Sequence, residues 1–201
     1  QREQLAGAFA RMERPLILKA EPDSRPVSED LRRMLMELAA LTDKLTVEWT
    51  PPSDGPERPC VRVLRADGTD TGIAFHGVPG GHEFNSFVVG LYNAAGPGQS
   101  IDPALAEAIA AIDRPLDLQI VVALSCTMCP ELVIAAQKIA ASNPLVTAKV
   151  YDVNHFPELR ERYKIMSVPC LIINKAKVAF GKKTLGQLLE LLAEPEAGQT
   201  G

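Results

Sequence analysis

The period of the hydrophobic positions changes repeatedly along the chain, and each change marks an element. Residues 2–13 read as a short helix stopped by Pro15, and the apolar run "LILKA" at 16–20 has the length of a strand. Leu31, Met34, Leu35, Leu38 and Leu41 then recur at spacings of three and four, which predicts a helix opening at Ser28, a residue suited to an N-cap. "KLTVEW" (44–49) alternates like a strand, "TPPSDGPERP" (50–59) is a loop by its prolines, and "CVRVL" (60–64) alternates again. "ADGTD" turns the chain into a second hairpin strand, "GIAFHG". A helix from about Gly81 to Asn93 follows and is expected to bury Phe84, Phe87, Val88 and Leu91.

"AAGPGQS" (94–100) interrupts the pattern, a connecting helix is predicted over 102–113 from Asp102-Pro103, and the series restarts. "LDLQIVVAL" (116–124) reads as a fully buried strand. Residues 127–142 form a helix with Leu132, Ala136, Ile139 and Ala140 on one side. "LVTAKVYDV" is a strand, "FPELRERY" a short helix, and "PCLIIN" with "AKVAFG" a hairpin. "TLGQLLELL" closes with Leu185, Leu188, Leu189 and Leu192 on one face.

The order strand, helix, strand, hairpin, helix thus occurs twice. Pro59-Cys60 opens one hairpin and Pro169-Cys170 the other. The expected architecture is α/β in two units, 1–97 and 98–194, followed by a polar tail at 195–201.

With 201 residues, 46% of them hydrophobic, the chain can bury cores of useful size. A net charge of −4 argues against a nucleic-acid surface. No apolar run approaches the length of a membrane span, and the charged N-terminus lacks the apolar centre of a signal peptide, so a cytoplasmic protein is expected. Structural disulfides are disfavoured there. Only Cys126 and Cys129, among four cysteines, are close in sequence, which turns attention to redox or metal chemistry.

"SCTMCPELV" (125–133) lies between the buried strand and the helix expected from Thr127. At a helix N-terminus, free N–H groups and the positive dipole end face the sulfur of Cys126 and favour its thiolate. Cys129, one turn on, can resolve a mixed disulfide formed at Cys126. Pro130 is tolerated because first-turn N–H groups need no intrahelical partner. About forty residues downstream, "SVPC" (167–170) places a Val168–Pro169 bond at the start of a strand, where a cis peptide would bring backbone beside the sulfurs. Two other readings stay open on these residues: a zinc site completed by Cys60 and Cys170, or inert thiols.

The segments "GVPGGHEFNSFVVGL" (77–91), "LSCTMCPELV" (124–133) and "SVPC" (167–170) resemble the N-terminal module of the F subunits of alkyl hydroperoxide reductase. The resemblance runs from "PLILKAEPDS" to "TLGQLLELL" and implies two tandem thioredoxin-like (glutaredoxin-type) units, each a mixed central sheet flanked by helices. The first unit has no C-x-x-C, in agreement with "KAEPDSRPVSEDL" (19–31). The resemblance implies an electron relay in which a flavoprotein of the thioredoxin-reductase type passes electrons to Cys126 and Cys129, and these reduce the disulfide of a peroxiredoxin. FAD and NAD(P)H would belong to a partner reductase or a further domain. No G-x-G-x-x-G is present, and no cofactor is expected on the chain beyond its redox-active disulfide. By the same resemblance Pro169 would be the cis-proline of the substrate site, bordered by Val168, Thr127 and Met128, and Glu83 a proton acceptor near the dithiol. The family's Cys-His-Asn-Cys is here Cys-Thr-Met-Cys. The alternatives are a general protein disulfide oxidoreductase without a dedicated partner and a metal-binding or structural docking module.

The remaining candidates have bland readings. His76, His82 and His155 are expected as solvated or capping residues, and Trp49 as packing at a sheet edge. Met128 is either a partner contact or a half-buried helix residue.

Overall fold

The computed structural model describes residues 2–195; the tail expected over 195–201 lies, beyond Pro195, outside the described residues. The chain runs α1 (Arg2–Ala10), β1 (Leu16–Glu21), α2 (Val27–Ala39), β2 (Leu45–Trp49), β3 (Cys60–Arg65), β4 (Asp70–His76) and α3 (Glu83–Ala95). It continues with α4 (Pro103–Ala110), β5 (Leu116–Val122), α5 (Cys129–Ser142), β6 (Val146–Asp152), α6 (Glu158–Arg162), β7 (Cys170–Ile173), β8 (Lys177–Phe180) and α7 (Leu185–Ala193).

The strands form one mixed sheet of eight, ordered β2-β1-β3-β4-β6-β5-β7-β8. Each half repeats the same logic. β1 pairs in parallel with β2 across α2, and β5 with β6 across α5, since parallel neighbours need a crossover. The hairpins β3–β4 and β7–β8 are antiparallel. The halves meet where β4 pairs in parallel with β6, with Ile73 opposite Ala148, Phe75 opposite Val150 and His76 opposite Tyr151. Gly72 enters this seam at φ +83°, where a Cβ would stand 2.6 Å from Val146 O, so a side chain is excluded both by the backbone and by space.

Strand alternation divides the apolar residues between two faces. One cluster holds Leu118, Ile120, Cys129, Leu132, Phe75 and Phe87, and joins both halves; the two phenyl rings meet edge to face at 6.4 Å. A second, on the other side of the second half, holds Val121, Tyr151, Phe156, Cys170 and Ile172. α3 lies along α5, and the Gln137 side chain donates from Nε2 to Ser86 O at 2.8 Å.

Capping explains several boundaries. Asp102 accepts from the Ala104 N–H at 2.8 Å with Pro103 at the first helical position. Thr184 and Gln187 form a capping box on α7. Ser28 does not cap α2. Pro26 holds that position, and the Ser28 hydroxyl accepts from the Asp23 N–H (2.9 Å) and donates to Asp23 Oδ1 (2.6 Å). Phe84 is half-buried rather than buried, beside a groove shared with Leu5, Met34 and Leu41.

His76 departs from expectation most. It is 1% exposed, stacked on Tyr151 across the seam with ring centroids 4.1 Å apart, and edge-on to Phe156 at 5.9 Å. Its Nδ1 lies 2.6 Å from Glu57 O, a carbonyl that can only accept, so Nδ1 carries the proton; Nε2 is buried with no hydrogen-bond partner. Burial lowers its pKa to about 4, against the raising effect of the Glu57 carbonyl. A depressed histidine contributes stability above its unfolded pKa that is lost as pH falls through the folded one. His76→Phe should therefore lose less stability than the parent between pH 7 and 4, by about 3 kcal/mol. Urea midpoints across that range check this; identical acid limbs would contradict it.

Candidate functional site

β5 ends at Val122, and the chain turns through residues 123–128 before α5 begins. The turn is closed by the Cys126 N–H donating to Ala123 O at 3.0 Å. It delays the helix, which starts at Cys129 rather than near Thr127, with Met128 as an N-cap that makes no side-chain bond. Cys126 and Cys129 are joined in a disulfide with Cα atoms 5.6 Å apart. The bond fixes the Cys126 sulfur at the mouth of α5, where first-turn N–H groups are free, although Cys126 itself lies outside the helix. The two sulfurs are unequal: Cys126 is half-buried, while Cys129 is fully buried.

The "SVPC" loop closes the other side. The Val168–Pro169 bond is cis, and Val168 O lies 3.9 Å from Cys126 Sγ. Pro169 O accepts from the Gly181 N–H at 3.0 Å, which ties the loop to the end of β8. Thr127 and Met128 are exposed in the turn, Val168 is half-buried and Pro169 buried. Met166 is exposed two residues before Val168, and Phe180 is exposed at the end of β8.

Glu83 reaches this region from the first half. It is the first residue of α3, between two fixed contacts with the second half: the His82 N–H donates to Leu124 O (3.0 Å), and Ser86 O takes the Gln137 side chain. Gly81, at φ +53°, permits that approach, because a Cβ would stand 2.6 Å from Leu124 O. The Glu83 carboxyl is 0% exposed; Ser86 Oγ donates to Oε2, and Oε1 has no partner. Burial pushes its pKa up to about 7, against the lowering effect of Ser86. A neighbour at neutral pH therefore meets a carboxyl poised to take or give a proton. Sequence reasoning singled out Glu83 but not Ser86 or the Gly81–Leu124 approach. The signal for the second was the paired glycine of "PGGHEF".

The first half repeats the scaffold without the chemistry. Its Arg58–Pro59 bond is also cis. Where Cys126 faces Val168 O, the guanidinium of Arg25 donates to Arg58 O at 2.7 Å from Nη2. The same group donates from Nη1 to His155 O (2.8 Å) and from Nε to Asp23 Oδ2 (2.6 Å), and it lies 5.6 Å from the Phe156 ring centroid. Arg25 thus occupies the corresponding position and joins it to the second half. Nothing in the local pattern marked it.

The other candidates are peripheral. Cys60 and Cys170 are buried free thiols, pushed by burial up to about 12 and about 11, so they stay protonated at neutral pH. Among the described residues no group of three or more His, Cys, Asp or Glu side chains could hold a metal ion. His82 is exposed, His155 is half-buried, and Trp49 ends the edge strand β2 with Arg32 5.5 Å from its ring. No helix among the described residues is long and apolar enough to cross a membrane.

Comparison with known proteins agrees with this geometry. A family model described as a thioredoxin domain matches residues 116–193, the half that holds the disulfide. The F subunit of alkyl hydroperoxide reductase from Pseudomonas aeruginosa is 31% identical over 195 residues, and a protein of Ferdinandcohnia aciditolerans named NADH dehydrogenase is 31% identical over 193. These matches take in 97% and 94% of the chain but 36% of each relative, so the chain spans about a third of their length. The crystal structure of the NTD_N/C domain of alkylhydroperoxide reductase AhpF from Enterococcus faecalis superposes with a TM-score of 0.89 at 38% identity, covering 96% of this chain and 97% of that one. With two fused half-sheets, one disulfide and a relative matched along nearly its whole length, the chain belongs to the family of AhpF N-terminal domains.

Proposed function

We propose that the chain is a dithiol–disulfide oxidoreductase that relays two electrons from a flavoprotein reductase, through Cys126 and Cys129, to a protein disulfide, most naturally that of a peroxiredoxin. One observation carries the reading: the disulfide pairs a half-exposed sulfur beside Val168 O with a fully buried one at the start of a helix. The flavin and nicotinamide sites would lie in the remaining length of the longer relatives or in a separate reductase. The units are taken as 1–97, without a dithiol, and 98–194, which carries it.

In the reduced state the Cys126 thiolate attacks one sulfur of the partner's disulfide and expels the other as a thiolate. Cys129 then gives its proton to the Glu83 carboxylate and attacks Cys126 Sγ. The mixed disulfide breaks, the Cys126–Cys129 bond closes, and the partner leaves as a dithiol once its thiolates are protonated. The cis-proline loop, with Val168 and Pro169, and the exposed Thr127 and Met128 form the surface on which the partner's disulfide is laid.

Cys126→Ser should lower transfer to a disulfide substrate by more than about 1,000-fold, the scale on which loss of a covalent nucleophile acts. Cys129→Ser should instead accumulate a mixed disulfide with the partner, seen by mass on non-reducing gels. A Cys126→Ser protein that still transfers at the parent rate rules the mechanism out. A general oxidoreductase would show no preference between a peroxiredoxin disulfide and insulin.

Glu83 gives a pH prediction with a definite sign. Its folded pKa is raised, so the stability tied to its proton is fully present below about pH 4.5 and is lost as pH rises through about 7. Relative to Glu83→Gln, the parent should lose on the order of 3 kcal/mol between those limits. The variant should also slow resolution of the mixed disulfide near neutral pH without changing its formation. Parallel stability profiles would remove Glu83 from the proton path.

A further inference from the structure

The face around the disulfide is unusual in charge as well as in polarity. Six large hydrophobic side chains are exposed among the described residues, and three border the reactive sulfurs: Met128 (58%), Met166 (91%) and Phe180 (44%). Their proximity follows from the backbone. Met128 precedes Cys129, Met166 lies two residues before Val168, whose carbonyl is 3.9 Å from Cys126 Sγ, and Phe180 precedes Gly181, whose N–H is bonded to Pro169 O. The segment 160–183, which supplies two of the three, carries seven Lys or Arg and a single acid, Glu161, in a chain of net charge −4.

Arg160 is exposed on α6, and the other six cations divide by position. Lys175 and Lys177 sit at the far end of the β7–β8 hairpin, and Lys177 is paired with Glu194 at 2.6 Å. Arg162 and Lys164 flank the approach to Met166, and Lys182 follows Phe180-Gly181; all three are exposed, with no acidic partner among the described residues. Lys183 is partly engaged by Phe180 O and Gly181 O. Glu131 and Glu161 are the exposed acids bordering this face. An apolar centre within an unpaired basic rim fits an apolar segment carrying carboxylates. The sulfur at its centre requires that segment to present a disulfide, and a cystine within a polypeptide supplies the disulfide, the apolar side chains and the carboxylates together.

Resting on the relay reading above, we propose that Met128, Met166 and Phe180, rimmed by Arg162, Lys164 and Lys182, form a docking surface that selects protein disulfides set in an acidic, apolar segment. The rim raises the encounter rate and fixes orientation, and the methionines adapt to the segment's side chains.

The test uses the reduced full chain and three probes: a disulfide-bridged peptide with Leu and Glu beside its cysteine, the same peptide with Lys for Glu, and uncharged hydroxyethyl disulfide. The acidic peptide should react about tenfold faster than the basic one at low salt, and the ratio should shrink as screening rises. The pair Lys164→Glu and Lys182→Glu should bring that ratio to one or invert it, and Met166→Ser should slow both peptides. Equal peptide rates in the parent, or a ratio unmoved by charge reversal, overturns the docking proposal alone. Failure to reduce hydroxyethyl disulfide overturns the relay reading itself.

Discussion

Parallel pairing of β4 with β6 is the constraint on which the site depends. Without it the chain would be two sheets on a tether. With it, the helix after β4 and the helix after β5 lie on one face, and the N-terminus of α3 meets the loop that carries the cysteines. Burial of Glu83 follows from that placement. On a separate first half, the same residue at a helix start would be a solvated carboxylate favoured by the helix dipole. The second half holds the disulfide and the first half the buried carboxyl, so the proton path proposed above needs the fused sheet. The seam tolerates little change: Gly72 has no room for a Cβ, and the His76–Tyr151 stack fills the other end.

The two halves show what a common scaffold permits. Both keep a cis-proline followed by a buried cysteine at the head of a hairpin. At the carbonyl before that proline, one half has a sulfur and the other a guanidinium. The sulfur can exchange bonds. The guanidinium only donates hydrogen bonds, here to two carbonyls and a carboxylate, and two of these links close around the first half's own loop while the third reaches His155. The first half's loop is thus tied to the second half through Arg25.

Much of the fold was legible because it rests on local periodicity. The alternation of 60–64 and the three-four spacing from Leu31 need no tertiary information, and the C-x-x-C followed by Val-Pro located the disulfide and its loop. Features set by the partner half, or by a single local hydrogen bond, were not legible. "GIAFHG" reads as a strand ending in a polar residue, and only burial against Tyr151 and Phe156 of the second half explains why His76 is neutral. The delayed start of α5 depends on one turn hydrogen bond, and the role of Ser28 on Asp23 rather than on the helix it was expected to cap. Arg25 is silent in sequence because the two carbonyls it bonds lie 33 and 130 residues away.

The strand order carries one more implication. Two separate four-stranded sheets would expose four outer strands, each a row of unsatisfied amides on which another chain could anneal. Joined as they are, only β2 and β8 remain outermost, and these are short strands carrying Glu48 and Lys177. A chain that doubles its scaffold in this way gains no additional surface for fibrillar self-association.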